Sequence, residues 1–151
     1  VVCNLSSINL AKFIDLSSKE QELLISTQVR MLDNVIDLND LPVPKATITN
    51  RKYRAIGLGT FGFHEMLVKS EAQWDSVKSR KLTEQIYERI NFLAIHASSD
   101  LAKEKGVYPL FAGSDWDTGA YFDLRDYTDT SWKALKEKVY ELDYLNHCRI
   151  V

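Results

Sequence analysis

Two stretches of apolar residues recurring at helical spacing constrain this chain more than anything else in it. The first opens on Ser17 followed by Glu20, or Ser18 followed by Gln21, either of which is a capping-box signature. It then sets Ile25, Val29, Leu32 and Ile36 on one face. The second opens at Trp74-Asp75-Ser76 and carries Leu82, Ile86, Ile90, Leu93, Ala97 and Leu101 before Gly106, the natural place for a left-handed stop. A shorter helix is expected from about Ile56 to Lys69, with Phe63 and Leu67 at i,i+4, and a last one capped by Thr130 or Ser131 and running through Leu135, Val139 and Leu142. Residues 1–10 read as a buried strand. Pro42 and Pro44 read as an extended connection, because proline disfavours helix at and before its own position. Val107 to Tyr127, rich in aromatics and glycine, reads as an ordered, non-periodic surface segment. The fold class expected is mostly α with a leading β-strand.

No repeat, low-complexity tract or linker divides the chain, so residues 1–151 read as one unit. A length of 151 residues at 45% apolar content suffices to bury a core. A net charge of −2, with bases beside acids as in Lys103-Glu104-Lys105 and Lys136-Glu137-Lys138, gives no basic patch for nucleic acid or an anionic membrane. No apolar run approaches the roughly 20 residues of a membrane span. No basic-then-apolar leader is visible, and a start at Val1 reads as a piece of a longer product. Cys3 and Cys148 could close a structural disulfide, yet two cysteines in a chain without a leader favour a reducing, cytoplasmic compartment and free thiols.

Several motifs have a bland reading beside the chemical one. Gly57-Leu58-Gly59-Thr60-Phe61-Gly62 matches GxGxxG, but Asn50-Arg51-Lys52-Tyr53-Arg54 before it is no buried strand and two helices are expected after it. Small residues easing the approach of a helix to its neighbour is the preferred reading there, with phosphate binding a minor alternative. His64-Glu65 lacks the second histidine of a zinc site, His96 reads as a hydrogen-bonded core or boundary residue, and His147-Cys148 offers two ligands where a structural site needs four. No metal site is read from the sequence. Asp115, Asp117, Asp123 and Asp126 lie among glycines and read as turn formers and caps rather than as an acid–base pair. Cys3 leaves two readings open, an inert core thiol or a redox thiol.

A family resemblance tips that balance. Cys3-Asn4-Leu5-Ser6-Ser7-Ile8-Asn9-Leu10 resembles the strand of the class I ribonucleotide reductase large (α) subunit that bears its second redox cysteine. Pro42-Val43-Pro44, Arg54-Ala55-Ile56-Gly57-Leu58-Gly59 with Gly62, and Ala97-Ser98-Ser99-Asp100-Leu101-Ala102 running to Gly106-Val107-Tyr108-Pro109 and Phe111 follow in family order. Gly113-Ser114-Asp115-Trp116-Asp117-Thr118-Gly119 is most similar to the class Ib branch. The resemblance covers residues 1 to about 142. From Asp143 to Val151 the chain diverges, and Cys148 matches no family cysteine.

The resemblance implies a central fragment of a ten-stranded α/β barrel that reduces ribonucleoside diphosphates to deoxyribonucleotides for DNA replication. A thiyl radical on a loop cysteine would remove the 3′ hydrogen, and two strand cysteines, of which Cys3 matches the second, would supply the reducing electrons and end as a disulfide. The radical cysteine, the partner thiol, the phosphate-binding loop and the radical-relay tyrosines would lie outside these residues, so the isolated chain is expected to be inactive. No cofactor is assigned to the segment. The whole enzyme is implied to use a thioredoxin- or glutaredoxin-type reductant, nucleotide effectors, a radical-generating small (β) subunit with a dimetal centre, and an α homodimer. The alternative is a non-catalytic helical scaffold or interaction domain derived from a reductase.

Overall fold

Ser17 and Glu20 form the anticipated capping box: the Ser17 Oγ accepts from the Glu20 N–H at 3.4 Å and the Glu20 carboxylate accepts from the Ser17 N–H at 2.8 Å. They open α2 (Ser18–Leu38), whose Ile25, Val29, Leu32 and Ile36 are all buried. Ser76 accepts from the Ser79 N–H at 3.0 Å and opens α5 (Val77–Lys105). In this computed structural model, which describes residues 2–144 and side-chain surroundings as far as residue 141, α2 and α5 pack side by side. The Arg30 guanidinium closes the pair at the surface with a two-pronged contact to Glu104, at 2.8 and 2.5 Å. Gly106 ends α5 at φ 98°, ψ 155°, a positive-φ conformation that is extended rather than left-handed helical.

The front of the chain is a parallel unit. β1 (Leu5–Asn9) runs into the single turn α1 (Leu10–Phe13), and α2 then leads to α3 (Pro44–Tyr53) and β2 (Gly57–Phe61). β1 and β2 pair in parallel, Leu5 opposite Gly57 through Asn9 opposite Phe61. Parallel neighbours need a crossover long enough to return the chain to the same end of the sheet, and α1, α2 and α3 supply it. Two expectations are corrected here. Pro44 starts a helix rather than forbidding one: it occupies the first turn, where its missing N–H costs nothing, and Val43 before it is extended as a residue preceding proline should be. Residues 57–61 are a strand, not the start of a helix, so a second strand joins the leading one. The helix expected from Ile56 begins only at Phe63, as α4 (Phe63–Lys69), after Gly62 in a left-handed conformation.

Ile8 from β1, Leu10 and Phe13 from α1, Ile25 and Val29 from α2, Met66 and Leu67 from α4, and Ile90, Leu93 and Leu101 from α5 share one core. Burying each such side chain is worth about 1.5–3 kcal/mol. A second core lies along the other side of α5. The stretch expected to be a surface segment contributes Tyr108 and Phe111 to it, and its short helix α6 (Ala120–Arg125) adds Phe122. Trp132, Leu135 and Val139 of α7 (Thr130–Tyr144) complete it. Trp132 stacks on Tyr127 at 4.1 Å, meets Phe92 edge-on at 5.1 Å, and donates its indole N–H to Glu88 at 3.0 Å. Tyr108, Phe111 and Phe122 carry no helical or strand period in the sequence, so their burial depends on α5 and α7 being in place. The cap of α7 is Asp129 rather than Thr130 or Ser131: its carboxylate accepts from the Ser131 and Trp132 N–H groups at 2.8 and 3.0 Å.

Candidate functional site

The strand pair has one covered face and one open face. Side chains alternate along a strand, so Ser6, Ile8, Leu58 and Thr60 fall on one side, where Ile8 is buried and Leu58 packs on the core. Leu5 and Ser7 fall on the other, with Gly57, Gly59 and Phe61 beside them. Leu5 is 72% exposed and Phe61 54%. Cys3 lies just ahead of β1 and continues the alternation, exposed like Leu5 and Ser7, with a free thiol.

Gly57 and Gly59 explain themselves on this face. A Cβ at Gly57 would stand 2.5 Å from Leu5 Cδ2, and one at Gly59 3.3 Å from Ser7 Oγ. Small residues do serve close approach, as the sequence suggested, but of one strand's side chains over the next. The GxGxxG geometry is absent: that fingerprint puts its first glycines in the turn after a strand, whereas Gly57 and Gly59 lie inside β2.

The covered side of β1 is tied to α2 by polar contacts. The Asn4 side-chain amide donates to the Leu32 carbonyl at 2.5 Å, and the Gln28 amide donates to Ser6 Oγ at 3.1 Å. The Asn4 carbonyl accepts from the Gly57 N–H at 2.8 Å, which starts the pairing with β2. Beneath lies a buried ionic cluster. Arg54, in a left-handed conformation at the end of α3, is 3% exposed; Asp33 on α2 is 0% exposed. Arg54 donates through Nε and Nη2 to Asp33 Oδ1 at 2.9 and 2.5 Å, and through Nη1 to Asp37 at 2.7 Å. Lys105, in the last turn of α5, reaches Asp33 Oδ2 at 3.0 Å and the Asn34 side-chain oxygen at 2.5 Å. Burial works against the Arg54 charge, but the hydrogen bonds to Asp37 and Asp33 outweigh it, and its pKa is raised. Five elements, β1, β2, α2, α3 and α5, thus contribute to the contacts around Asn4 and the Asp33–Arg54 pair.

The remaining candidates scatter. His64 lies on α4 against Trp74, and His96 on α5 sits between Asp100 and Lys138, each at 3.2 Å. The latter is the boundary histidine expected. Asp117 accepts from the Gly113 N–H at 2.6 Å as a turn former, Asp123 pairs with Lys136 at 2.5 Å, and Asp126 closes α6 in a left-handed conformation. The Asp115 carbonyl accepts from Tyr121 N–H. Among the described residues no group of three or more His, Cys, Asp and Glu could hold a metal ion. No described helix is long and apolar enough to cross a membrane. Cys148 and the divergent end beyond Tyr144 lie outside the described residues.

Asn4, Asp33, Arg54 and Lys105 are the functional candidates the sequence reading passed over. Asp33 did carry a signal: it follows Leu32 directly and stands four residues after Val29, on the face that Ile25, Val29 and Ile36 mark as buried, where a carboxylate needs a partner. The partner's position in the sequence gave no hint, because Arg54 reaches Asp33 only once α3 has turned back.

All 151 residues match the model of the family described as ribonucleotide reductase, barrel domain. The chain belongs to the ribonucleotide reductase barrel-domain family. It is 49% identical over 140 residues, 92% of its length, to the ribonucleoside-diphosphate reductase subunit alpha of Treponema pallidum, covering 16% of that protein. Against the subunit alpha of Chlamydia pneumoniae it is 44% identical over 121 residues, 78% of this chain and 12% of that one. Against the vitamin B12-dependent ribonucleoside-diphosphate reductase of Thermoplasma acidophilum it is 38% identical over 120 residues, 76% of this chain and 16% of that one. The chain thus spans less than a fifth of each of these relatives. Its exposed thiol, Cys3, stands just ahead of the strand pair.

Proposed function

We propose that this chain is a segment of the catalytic α subunit of a ribonucleoside-diphosphate reductase, and that Cys3 is one of the two thiols that reduce the substrate. The observation that supports it most is the exposed thiol of Cys3 on the open face of a parallel strand pair, in a chain of this family. Reduction at C2′ replaces a C–OH bond by C–H and releases water. Two electrons are required, and a dithiol supplies them while forming one S–S bond. Cys3 is one sulfur of that bond; the other belongs to a cysteine outside this segment. Cys3 directly precedes β1, and the pairing of β1 with β2 restrains the backbone that carries the sulfur.

The two strands stand as part of the larger barrel, and residues 1–151 form one portion of that domain. The loop Gly113 to Gly119 supports a class Ib enzyme with a dimetal small subunit. A relative named as vitamin B12-dependent matches the same segment, which supports a role for it in a step downstream of radical formation. The remaining partners are those of the whole enzyme: the rest of the α subunit, a second copy of it, a nucleoside diphosphate substrate, nucleotide effectors and a thioredoxin- or glutaredoxin-type reductant in the cytoplasm.

The test is turnover of the full-length α subunit with its radical-generating partner, CDP and a dithiol reductant. Cys3→Ser is expected to abolish multiple turnover while leaving CDP binding in place. Sustained CDP reduction by Cys3→Ser would remove Cys3 from the chemistry.

A further inference from the structure

We infer that Asn4 is a positioning residue for the Cys3 thiol, held across two elements by the buried Asp33–Arg54 pair. This rests on the reading of Cys3 as a redox thiol. Asn4 is the next residue after Cys3, and both of its ends are engaged. Its side-chain amide is bound to the carbonyl of Leu32 on α2, and its own carbonyl is bound to the N–H of Gly57 on β2. Neither contact alone fixes Cys3, because α2 and β2 could shift against each other. The ionic pair removes that freedom. Asp33 follows Leu32 directly and Arg54 precedes Gly57 by three residues, so the salt bridge locks together the two points that Asn4 spans. Asp37 and Lys105 brace it from α2 and α5. The peptide carrying Cys3 is thereby clasped from both sides while its thiol faces outward.

An amide is specifically suited to this. The Leu32 carbonyl lies within α2 and can only accept, so its extra partner must be a donor, which the Asn4 amide supplies and a carboxylate does not. Asn4→Asp keeps the size of the side chain and removes the donor, whereas Asn4→Ala removes both. A sulfur displaced by a fraction of an ångström from its reacting partner loses rate rather than substrate affinity.

The experiment uses the full-length α subunit with its radical-generating partner and measures kcat, the KM for CDP, the pH dependence of Cys3 alkylation by iodoacetamide, and the thermal midpoint. For both Asn4→Ala and Asn4→Asp, kcat is expected to fall about tenfold or more with KM within about twofold, the sign of lost alignment rather than lost binding. The alkylation profile of Cys3 is expected to shift in both. Unchanged kcat in Asn4→Asp, or a fall in thermal midpoint with kcat and the alkylation profile both unchanged, overturns the inference and leaves Asn4 a structural tie. Cys3→Ser in the same assay separates the two claims. Full activity of Cys3→Ser defeats the reading of Cys3, whereas an inactive Cys3→Ser beside fully active Asn4 variants defeats only the positioning role.

Discussion

Arg54 Nη2 and Asp33 Oδ1 lie 2.5 Å apart in the interior, on residues separated by the whole of α3. Two charges taken out of water are tolerable only as a pair, and removing one leaves the other unpaid for in desolvation. Arg54→Met is expected to destabilise the protein by about 3–5 kcal/mol, toward the lower end because Lys105 still reaches Asp33. Adding Asp33→Leu to Arg54→Met should recover part of that loss, since the fully buried carboxylate is gone and the partners left behind, Asp37 and Lys105, reach solvent. Urea unfolding of the single and double variants checks this; a double variant as unstable as the sum of its parts would contradict it.

The two cores meet on Phe92, which packs against both. Ile25 belongs to the first and Leu135 to the second, and each is buried. Truncating either to alanine is expected to cost about 2–5 kcal/mol. Native-state hydrogen exchange of the full-length subunit should show protection falling in both α2 and α7 whichever core is cut. Loss confined to the mutated core would mean two independent units within residues 1–151.

Gly119 stands at φ 76° just before α6, and a Cβ there would come 1.8 Å from the Tyr140 hydroxyl of α7. Gly119→Ala is expected to cost about 1–3 kcal/mol from the left-handed backbone alone. Tyr140→Ala in the same chain should relieve the steric part and leave the backbone part. A double-mutant cycle on thermal stability measures the difference; additive effects would show that Tyr140 simply swings away.

Glu20 and Asp129 cap the starts of α2 and α7, and both carboxyls are held below their ordinary pKa, Glu20 first by the Ser17 side chain and Asp129 first by the Ser131 side chain. A folded pKa below the unfolded one means that the unfolded chain takes up the proton first. The stabilisation is therefore complete above the unfolded values, near 4.5 and 3.8, and is lost as pH falls through the lower folded values. Amide exchange in the first turns of α2 and α7 should rise as the pH is lowered below these values, after correction for intrinsic rates. Glu20→Gln should flatten that dependence in α2 and not in α7.

Helices α2 and α5 are legible in the sequence because each carries its own cap and a period of apolar residues long enough to identify. Strand β2 is not. Glycines at 57 and 59 leave one of its faces without side chains to show an alternation, and the partner that makes it a strand lies on the far side of three helices. Pro44 misleads for a related reason: proline breaks a helix it interrupts and begins one it precedes, and only the following residues decide which. The aromatics from Tyr108 to Tyr127 look like surface loop because their burial is set by a neighbouring helix face. Cys3 stands out through its surroundings in sequence, whereas its exposure depends on the open side of the strand pair. The clasp on Asn4 depends on contacts that no local pattern encodes.

The most direct test of a redox role for Cys3 is a single turnover of the pre-reduced full-length α subunit, without external reductant, followed by peptide mapping under non-reducing conditions. The Cys3 peptide is expected to appear disulfide-linked to a cysteine outside this segment, in proportion to the deoxycytidine diphosphate formed. Product formed while Cys3 remains a free thiol would contradict that role.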